Sequence, residues 1–189
     1  MAVNTIKLEK AAIGALLLFV AALQVSIAAS GVLLTVTLML LVGLLILKKE
    51  RPEIPPIFWP LLVYALATMV SVVASLDPIT SLQDSKEVLL FLVVPIVYRL
   101  ARGRTASTLA TIIISVGAAT AVLGIVQYGI LNYDHLGQRP QGSMGHYMTF
   151  SGLLMLVIGL ATARILFNTR DRAWPALVLP ALGVALALT

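Results

Sequence analysis

Residues 108–131 read TLATIIISVGAATAVLGIVQYGIL, a run without one charged side chain. A helix needs about 20 apolar residues to cross the roughly 30 Å hydrocarbon core of a bilayer. This stretch is therefore predicted to be a transmembrane helix. Comparable apolar runs fall at residues 11–29, 31–47, 57–75, 88–100 and 149–167, and a further one begins near Trp174. Counted in chain order, residues 88–100 are the fourth run, residues 108–131 the fifth and residues 149–167 the sixth.

The composition of the 189 residues indicates the same class. Hydrophobic residues make up 60% of the chain and charged residues 11%, whereas soluble domains are about 45–50% apolar and about 25% charged. We predict an all-α polytopic transmembrane helix bundle with six complete spans and a truncated seventh, forming a single transmembrane domain over residues 1–189. The last run is short, and Pro175 and Pro180 are expected to shorten its regular part further, so the chain is expected to be the N-terminal part of a longer protein.

The distribution of Lys and Arg predicts the orientation. With a cytoplasmic N-terminus, all of the 13 basic residues except Lys86 and Arg139 fall in cytoplasmic segments. Because cations are retained on that side, a multi-pass protein of the bacterial inner (cytoplasmic) membrane is expected. The net charge of +5 then reflects topology, and no nucleic-acid partner is expected. The chain has no cysteine, which excludes disulfides and thiolate metal sites.

Lys86 and Arg139 are exceptions to this distribution, and each needs a reason. Lys86 precedes the fourth run, where Asp84 and Glu87 would pair with it and Asp84 or Ser85 would be the N-cap. The alternative partner of Lys86 is an anionic group of a substrate.

Arg139 lies in the loop before the sixth run, among Gly137, Gly142 and Gly145. Glycines let backbone N–H groups approach a ligand, and arginine binds phosphate through two parallel hydrogen bonds. The N-terminus of the following helix adds further N–H donors. The pattern favours a phosphate or diphosphate site at the outer interface, the alternative being a solvated loop arginine.

Two histidines, His135 and His146, fall in the same loop. Either can exchange protons near neutral pH. Their spacing matches no metal motif, so no metal is expected.

Small residues predict where helices approach closely. Gly117, Ala121 and Gly124 share one face of the fifth run, and Gly159 with Ala163 repeats the spacing on the sixth. The tight turn between the first two helices is predicted at residues 29–31, which include Ser30.

The run RPQGSMGHYMTFSG, residues 139–152, resembles the O-antigen ligase and O-antigen polymerase family, in which an Arg is followed by a Gly-Thr-Phe-Gly-His/Asn-like turn. Residues 124–128, GIVQY, are similar to the end of that family's fifth helix, and residues 77–86 to its short outer loop. The chain departs from the pattern at Ser143 and Met144, where Thr and Phe are frequent, and at Tyr147, where Pro is common.

The resemblance implies a membrane glycosyltransferase of lipopolysaccharide biosynthesis. Such an enzyme transfers a glycan from undecaprenyl diphosphate to lipid A core or to another glycan at the periplasmic face, without a metal or other cofactor. Its partners are the lipid-linked glycan donor, the acceptor and membrane lipids. The general base is expected downstream of Thr189, so the fragment alone is expected to be inactive.

The resemblance also implies roles for individual residues. Arg139, together with Lys86, would bind the diphosphate of the donor. The residues that would position this loop are His146, Gly142, Gly145 and Tyr147.

Two other functions stay open. Six helices with cytoplasmic termini would suit half of a secondary transporter. However, residues 48–56 lack the Gly-x-x-x-Asp-Arg pattern of the major facilitator group, and no ionisable residue is expected in mid-membrane. The third possibility is a non-enzymatic membrane assembly factor.

Overall fold

The computed structural model describes residues 2–134, 138–168 and 172–189. These residues form helices, and no β-strand occurs among them. In chain order the helices are α1 Ala2–Ala22, α2 Ile27–Lys48, α3 Phe58–Val73, α4 Pro78–Asp84, a 3-10 helix Ser85–Leu92, α5 Val93–Leu100, α6 Arg104–Gly129, α7 Tyr147–Phe167 and α8 Ala173–Leu188. The predicted all-α class is confirmed.

Three of the described helices, α2, α6 and α7, are long and apolar enough to span a membrane. The helices α3 and α8 are apolar but shorter. Large apolar side chains point outward from the long helices, with Ile46 70% and Leu156 75% exposed. Such surfaces would be unfavourable in water and match the hydrocarbon of a bilayer.

The turn between α1 and α2 lies at residues 23–26, so the prediction of a turn at residues 29–31 is wrong. Ser26 precedes α2, and its Oγ accepts a hydrogen bond from the N–H of Ala29 at 3.4 Å. Its carbonyl accepts from the N–H of Ser30 at 3.0 Å. Because a serine before a helix pairs N–H groups that the first turn leaves free, α2 begins ahead of Ala29.

The predicted fourth span, residues 88–100, is not one α-helix. Its first residues belong to the 3-10 helix, and only Val93–Leu100 is α-helical. Pro95 is the reason, because it has no N–H and its ring conflicts with the carbonyl of Phe91, four residues earlier. Pro95 is tolerated at the third position of α5, because the N–H groups of the first turn of a helix have no partner within the helix.

Residues 77–86, predicted to be a short outer loop, are mostly helical. The carboxylate of Asp77 caps α4, accepting from the N–H of Thr80 at 3.2 Å and from its hydroxyl at 2.7 Å. Ser85 is not the predicted N-cap of a following helix. It is the C-cap of α4, and its Oγ donates to the carbonyl of Ser81 at 2.7 Å. The pair Asp77-Pro78 starts a helix here, because proline suits the first helical position.

The described residues of the ranges 1–13 and 37–102 form one compact unit. Among its described residues, one ion pair joins α1 to the last residue of α2, and two join the α2–α3 connection to the end of α5 and the segment just after it. The pairs are Glu9 with Lys48 at 2.7 Å, Glu50 with Arg99 at 2.6 Å, and Glu53 with Arg102. The unit therefore brings together charged segments that the orientation rule assigns to one side of the membrane.

The described residues of the ranges 14–36 and 103–189 form the second unit. Its centre is a bundle of α6, α7 and α8, in which each helix packs against the other two. The buried core side chains are Ile114, Ala118, Ala121, Phe150, Leu154, Val157, Ala161, Val178, Leu182 and Ala185. All of them are apolar, as expected for packing between membrane-spanning helices.

The predicted packing face of α6 is confirmed. A Cβ added to Gly117 would lie 2.7 Å from Val157, and one added to Gly124 would lie 2.7 Å from Phe150. The predicted face of α7 is wrong, since no atom lies within 4 Å of a Cβ at Gly159. Val157 is the buried residue in this part of α7. Gly159 lies two residues further along the helix and therefore on nearly the opposite side.

The helix α8 continues through Pro180. The expectation that Pro175 and Pro180 shorten its regular part is therefore wrong. Val178 and Leu182, on either side of Pro180, are buried in the bundle core. Their packing holds the helix together where proline removes a backbone hydrogen bond.

Candidate functional site

The loop between α6 and α7 is held by the side chain of Gln127, near the end of α6. Its Nε2 donates to the carbonyl of Gly142 at 2.8 Å. Its Oε1 accepts from the N–H of Gly142 at 2.8 Å and from that of Gln141 at 3.0 Å. Gln127 is only 8% exposed. Backbone polar groups beside an apolar bundle must find partners within the protein, and this amide supplies them.

The ring of Phe150 lies between two glycines from different segments. A Cβ on Gly142 would be 2.5 Å from this ring, and one on Gly124 would be 2.7 Å away. Gly142 also has a φ of +57°, which side chains other than glycine rarely adopt. Phe150 is fully buried. Gly142 therefore has a packing role, and it faces the bundle.

Gln24, in the turn after α1, holds the other side of the loop through its backbone carbonyl. The Oγ of Ser143 donates to the carbonyl of Gln24 at 2.7 Å. The Nε2 of Gln24 donates in turn to the carbonyl of Ile113 on α6 at 2.9 Å. Gln24 is buried, and its Oε1 has no hydrogen-bond partner among the described residues. The loop is thus connected to α6 both directly and through this turn.

Arg139 lies on the exposed side of the loop. Its guanidinium carbon is 5.5 Å from the ring centroid of Tyr147, the first residue of α7. The ring of His146 stacks on the same tyrosine, with 5.1 Å between centroids and 17° between planes. The structure therefore brings three of the predicted site residues into one cluster, the Arg139 cluster. A guanidinium stacked on a ring keeps its in-plane N–H donors available for an anion.

The start of α7 contributes further donors to this cluster. His146 occupies the N-cap position, and its side chain makes no capping hydrogen bond. Gly145 has a φ of +73°, and no atom lies within 4 Å of a Cβ placed on it. The N–H groups of the first helical turn are therefore not capped by a side chain, and an anion is favoured at such a helix end.

A pocket of about 260 Å³ adjoins the guanidinium of Arg139. Its walls include Tyr128, Tyr133, Asp134 and the end of α8. One guanidinium nitrogen donates to the carbonyl of Thr189 at 3.4 Å. Two phenols and a guanidinium offer hydrogen-bond donors to an anion in this pocket, while the carboxylate of Asp134 in the same wall opposes one.

Lys86 belongs to the other unit, where it is exposed in the 3-10 helix. Among the described side chains it forms no ion pair, including with the neighbouring Glu87. Its shared role with Arg139 stays a prediction. The side chain of Asp84, and the residues His135 and Gly137, lie outside the described part of the chain.

Gln127 and Gln24 were not identified from the sequence as residues of this site. Each is an amide within or directly after an apolar stretch. Because an amide in an apolar setting must be hydrogen-bonded, this pattern is the signal that points to them. The pattern does not reveal the hydrogen-bond partner of either amide, which depends on how the loop folds back on α6.

In the described ranges, no three His, Asp or Glu side chains lie close enough to hold a metal ion. Comparison with known proteins gave no match to a protein-family model, to a curated protein or to a solved structure. Function is therefore inferred from the residues and their geometry.

Proposed function

We propose that this chain is part of a membrane glycosyltransferase of the O-antigen ligase and polymerase type. It would transfer a glycan from undecaprenyl diphosphate to lipid A core or to another glycan on the periplasmic side. The observation that carries the proposal is the Arg139 cluster, in which an exposed cation lies beside Tyr147 and the uncapped start of α7. The similarity of residues 139–152 to that family supplies the reaction type.

In this reaction the oxygen of the acceptor hydroxyl attacks the anomeric carbon of the glycan, its proton passes to a general base of the enzyme, and the bond between the anomeric carbon and the diphosphate oxygen breaks. Negative charge then grows on the leaving diphosphate. Arg139 would donate hydrogen bonds to it, and donors already fixed where charge develops contribute most to catalysis. His146 would hold Tyr147, and through it the arginine, in place.

We also propose a cytoplasmic N-terminus and several membrane crossings in the bacterial inner membrane. The support is the three ion pairs of the first unit, which join α1 to α2 and the α2–α3 connection to the end of α5 and the segment just after it. Because the chain contains no cysteine, single cysteines report sidedness directly. Gln83→Cys and Gln138→Cys should react with a membrane-impermeant maleimide in spheroplasts, and Arg51→Cys should react only after lysis. The reverse pattern would contradict the orientation.

Donor binding tests the function. The chain in lipid nanodiscs should bind undecaprenyl diphosphate more tightly than undecaprenol. Arg139→Ala should weaken the diphosphate affinity by about tenfold or more, because charge-assisted hydrogen bonds are lost. Arg104→Ala removes an exposed arginine at the start of α6, outside this loop, and is the matched control. Unchanged binding in Arg139→Ala, or equal binding of the alcohol, would rule out the diphosphate site.

A further inference from the structure

An apolar groove of about 370 Å³ opens in the first unit, between the end of the α2–α3 connection and α5. It is lined by Pro55, Ile57, Val93, Val94, Val97 and Tyr98. Five of these six side chains are wholly apolar. From Val93 to Tyr98 the groove follows α5 for about 7.5 Å, toward the end of the helix that carries Arg99. The groove therefore suits a hydrocarbon chain that enters from this end.

Two exposed aromatic side chains lie near the entrance of the groove. Trp59, in the first turn of α3, is 58% exposed, and Tyr98 is 49% exposed. Tryptophan and tyrosine are enriched where a membrane meets water, because each ring has an apolar body and a polar tip. The entrance is therefore expected at the level of the lipid headgroups, and the far end of the groove in the hydrocarbon.

Arginine side chains border the same entrance. Arg102 lies over the ring of Tyr98, with its guanidinium carbon 5.7 Å from the ring centroid. Arg102 also pairs with Glu53, and Arg99 pairs with Glu50 at 2.6 Å. These two ion pairs hold the α2–α3 connection against the end of α5. The charged segment and the apolar groove therefore share one edge of the unit.

This edge carries an excess of positive charge. Arg51 lies between the two paired glutamates in the chain and is therefore held beside the same helix end. Arg51 and Lys49 are exposed, and among the described residues neither forms an ion pair. One guanidinium nitrogen of Arg102 donates to Glu53 and another to the carbonyl of Tyr98. The third stays available to an anion.

We propose that this groove binds an acyl chain of an anionic phospholipid, such as phosphatidylglycerol, whose phosphate lies at Lys49, Arg51 and Arg102. Each basic side chain close to an anionic lipid strengthens binding by about fivefold. A zwitterionic headgroup also carries a cation, which the same basic entrance repels. The apolar groove excludes a free phosphate as the preferred ligand, because it leaves the groove unfilled. The proposal is independent of the glycosyltransferase assignment.

Native mass spectrometry of the detergent-solubilised chain tests this site. Phosphatidylglycerol, phosphatidylcholine and phosphatidylethanolamine with identical acyl chains are each titrated, alongside soluble glycerol phosphate. We expect phosphatidylglycerol to bind most tightly and glycerol phosphate to bind weakly. The double variant Lys49→Gln and Arg51→Gln should weaken phosphatidylglycerol by about tenfold or more, at about fivefold per cation, and should change phosphatidylcholine little. Lys86→Gln removes an exposed cation elsewhere in the same unit and is the matched control.

A matched pair of tryptophan variants tests the apolar half of the site. Val97→Trp fills part of the groove and should weaken phosphatidylglycerol binding, whereas Val63→Trp lies at an exposed position outside the groove and should not. If Val97→Trp does not fold, the charge variants at the surface decide the question. Equal binding of the three lipids, glycerol phosphate binding as tightly as phosphatidylglycerol, equal losses in Lys86→Gln and the double variant, or unchanged binding in a folded Val97→Trp would overturn the proposal.

Discussion

The side-chain amide of Gln127 on α6 makes two hydrogen bonds of 2.8 Å with the backbone of Gly142, one as donor and one as acceptor. A third bond, from the N–H of Gln141, shares the same Oε1 at 3.0 Å. One buried side chain thus fixes the loop residues that follow Arg139. The position of the cation in the candidate site depends on it.

Replacing Gln127 by leucine should destabilise the second unit. Leucine has similar volume but leaves two N–H groups and a carbonyl without partners, at a cost on the order of 3 kcal/mol. Thermal unfolding in detergent measures this loss. Tyr128→Leu, at the exposed neighbouring position, is the control and should change the melting temperature little. Equal melting temperatures for Gln127→Leu and the wild type would show that the loop is not held by this amide.

Gly142 and Gly145 provide a comparison of two glycines in one loop, with φ of +57° and +73°. Alanine in this conformation costs about 1–2 kcal/mol at either position. At Gly142 the new methyl group would also meet the Phe150 ring at 2.5 Å, while at Gly145 nothing lies within 4 Å. We therefore expect Gly142→Ala to lose about 1–3 kcal/mol more stability than Gly145→Ala. Chemical denaturation of the two variants measures the difference, and equal losses would contradict the close packing on Phe150.

The sequence was sufficient to predict the helical class and the packing face at Gly117 and Gly124, because apolar length and small-residue spacing are local signals. It was not sufficient at residues 77–100. There a strong cap at Asp77 and a proline at position 95 together produce α4, a 3-10 helix and α5 in place of a loop and one span. Arg139 was predicted as a site residue from its place among the loop glycines, and His146 and Tyr147 from the family resemblance. The partners of Gln127 were not, because they depend on contacts across 15 residues that no local pattern encodes.

Tyr147 should set the anion affinity of the Arg139 cluster. Tyr147→Phe retains a ring 5.5 Å from the guanidinium carbon, so it should bind undecaprenyl diphosphate like the wild type. Tyr147→Leu removes the ring face and should weaken binding by about two- to fivefold, as expected for an exposed cation–π contact. Binding in nanodiscs distinguishes the two variants. Equal affinities would show that the tyrosine ring does not position Arg139.

The ion pair of Glu50 and Arg99, 2.6 Å long, should make the stability of the first unit depend on acidic pH. The hydrogen bond from Arg99 lowers the pKa of Glu50 from its ordinary value of 4.5, and the arginine's charge adds to the effect. A carboxylate with a lowered pKa in the folded state contributes stability above the unfolded value, and this contribution is lost as the pH falls through the folded pKa.

We therefore expect the melting temperature to fall as the pH is lowered below about 4.5. Asp77 adds to this decline, because its hydrogen bonds with Thr80 lower its pKa from 3.8. Glu50→Gln should be less stable than the wild type at neutral pH and should show a shallower decline on acidification. Adding Asp77→Asn should flatten the curve further. A decline that is unchanged in the double variant would assign the acid sensitivity to groups other than these two carboxylates.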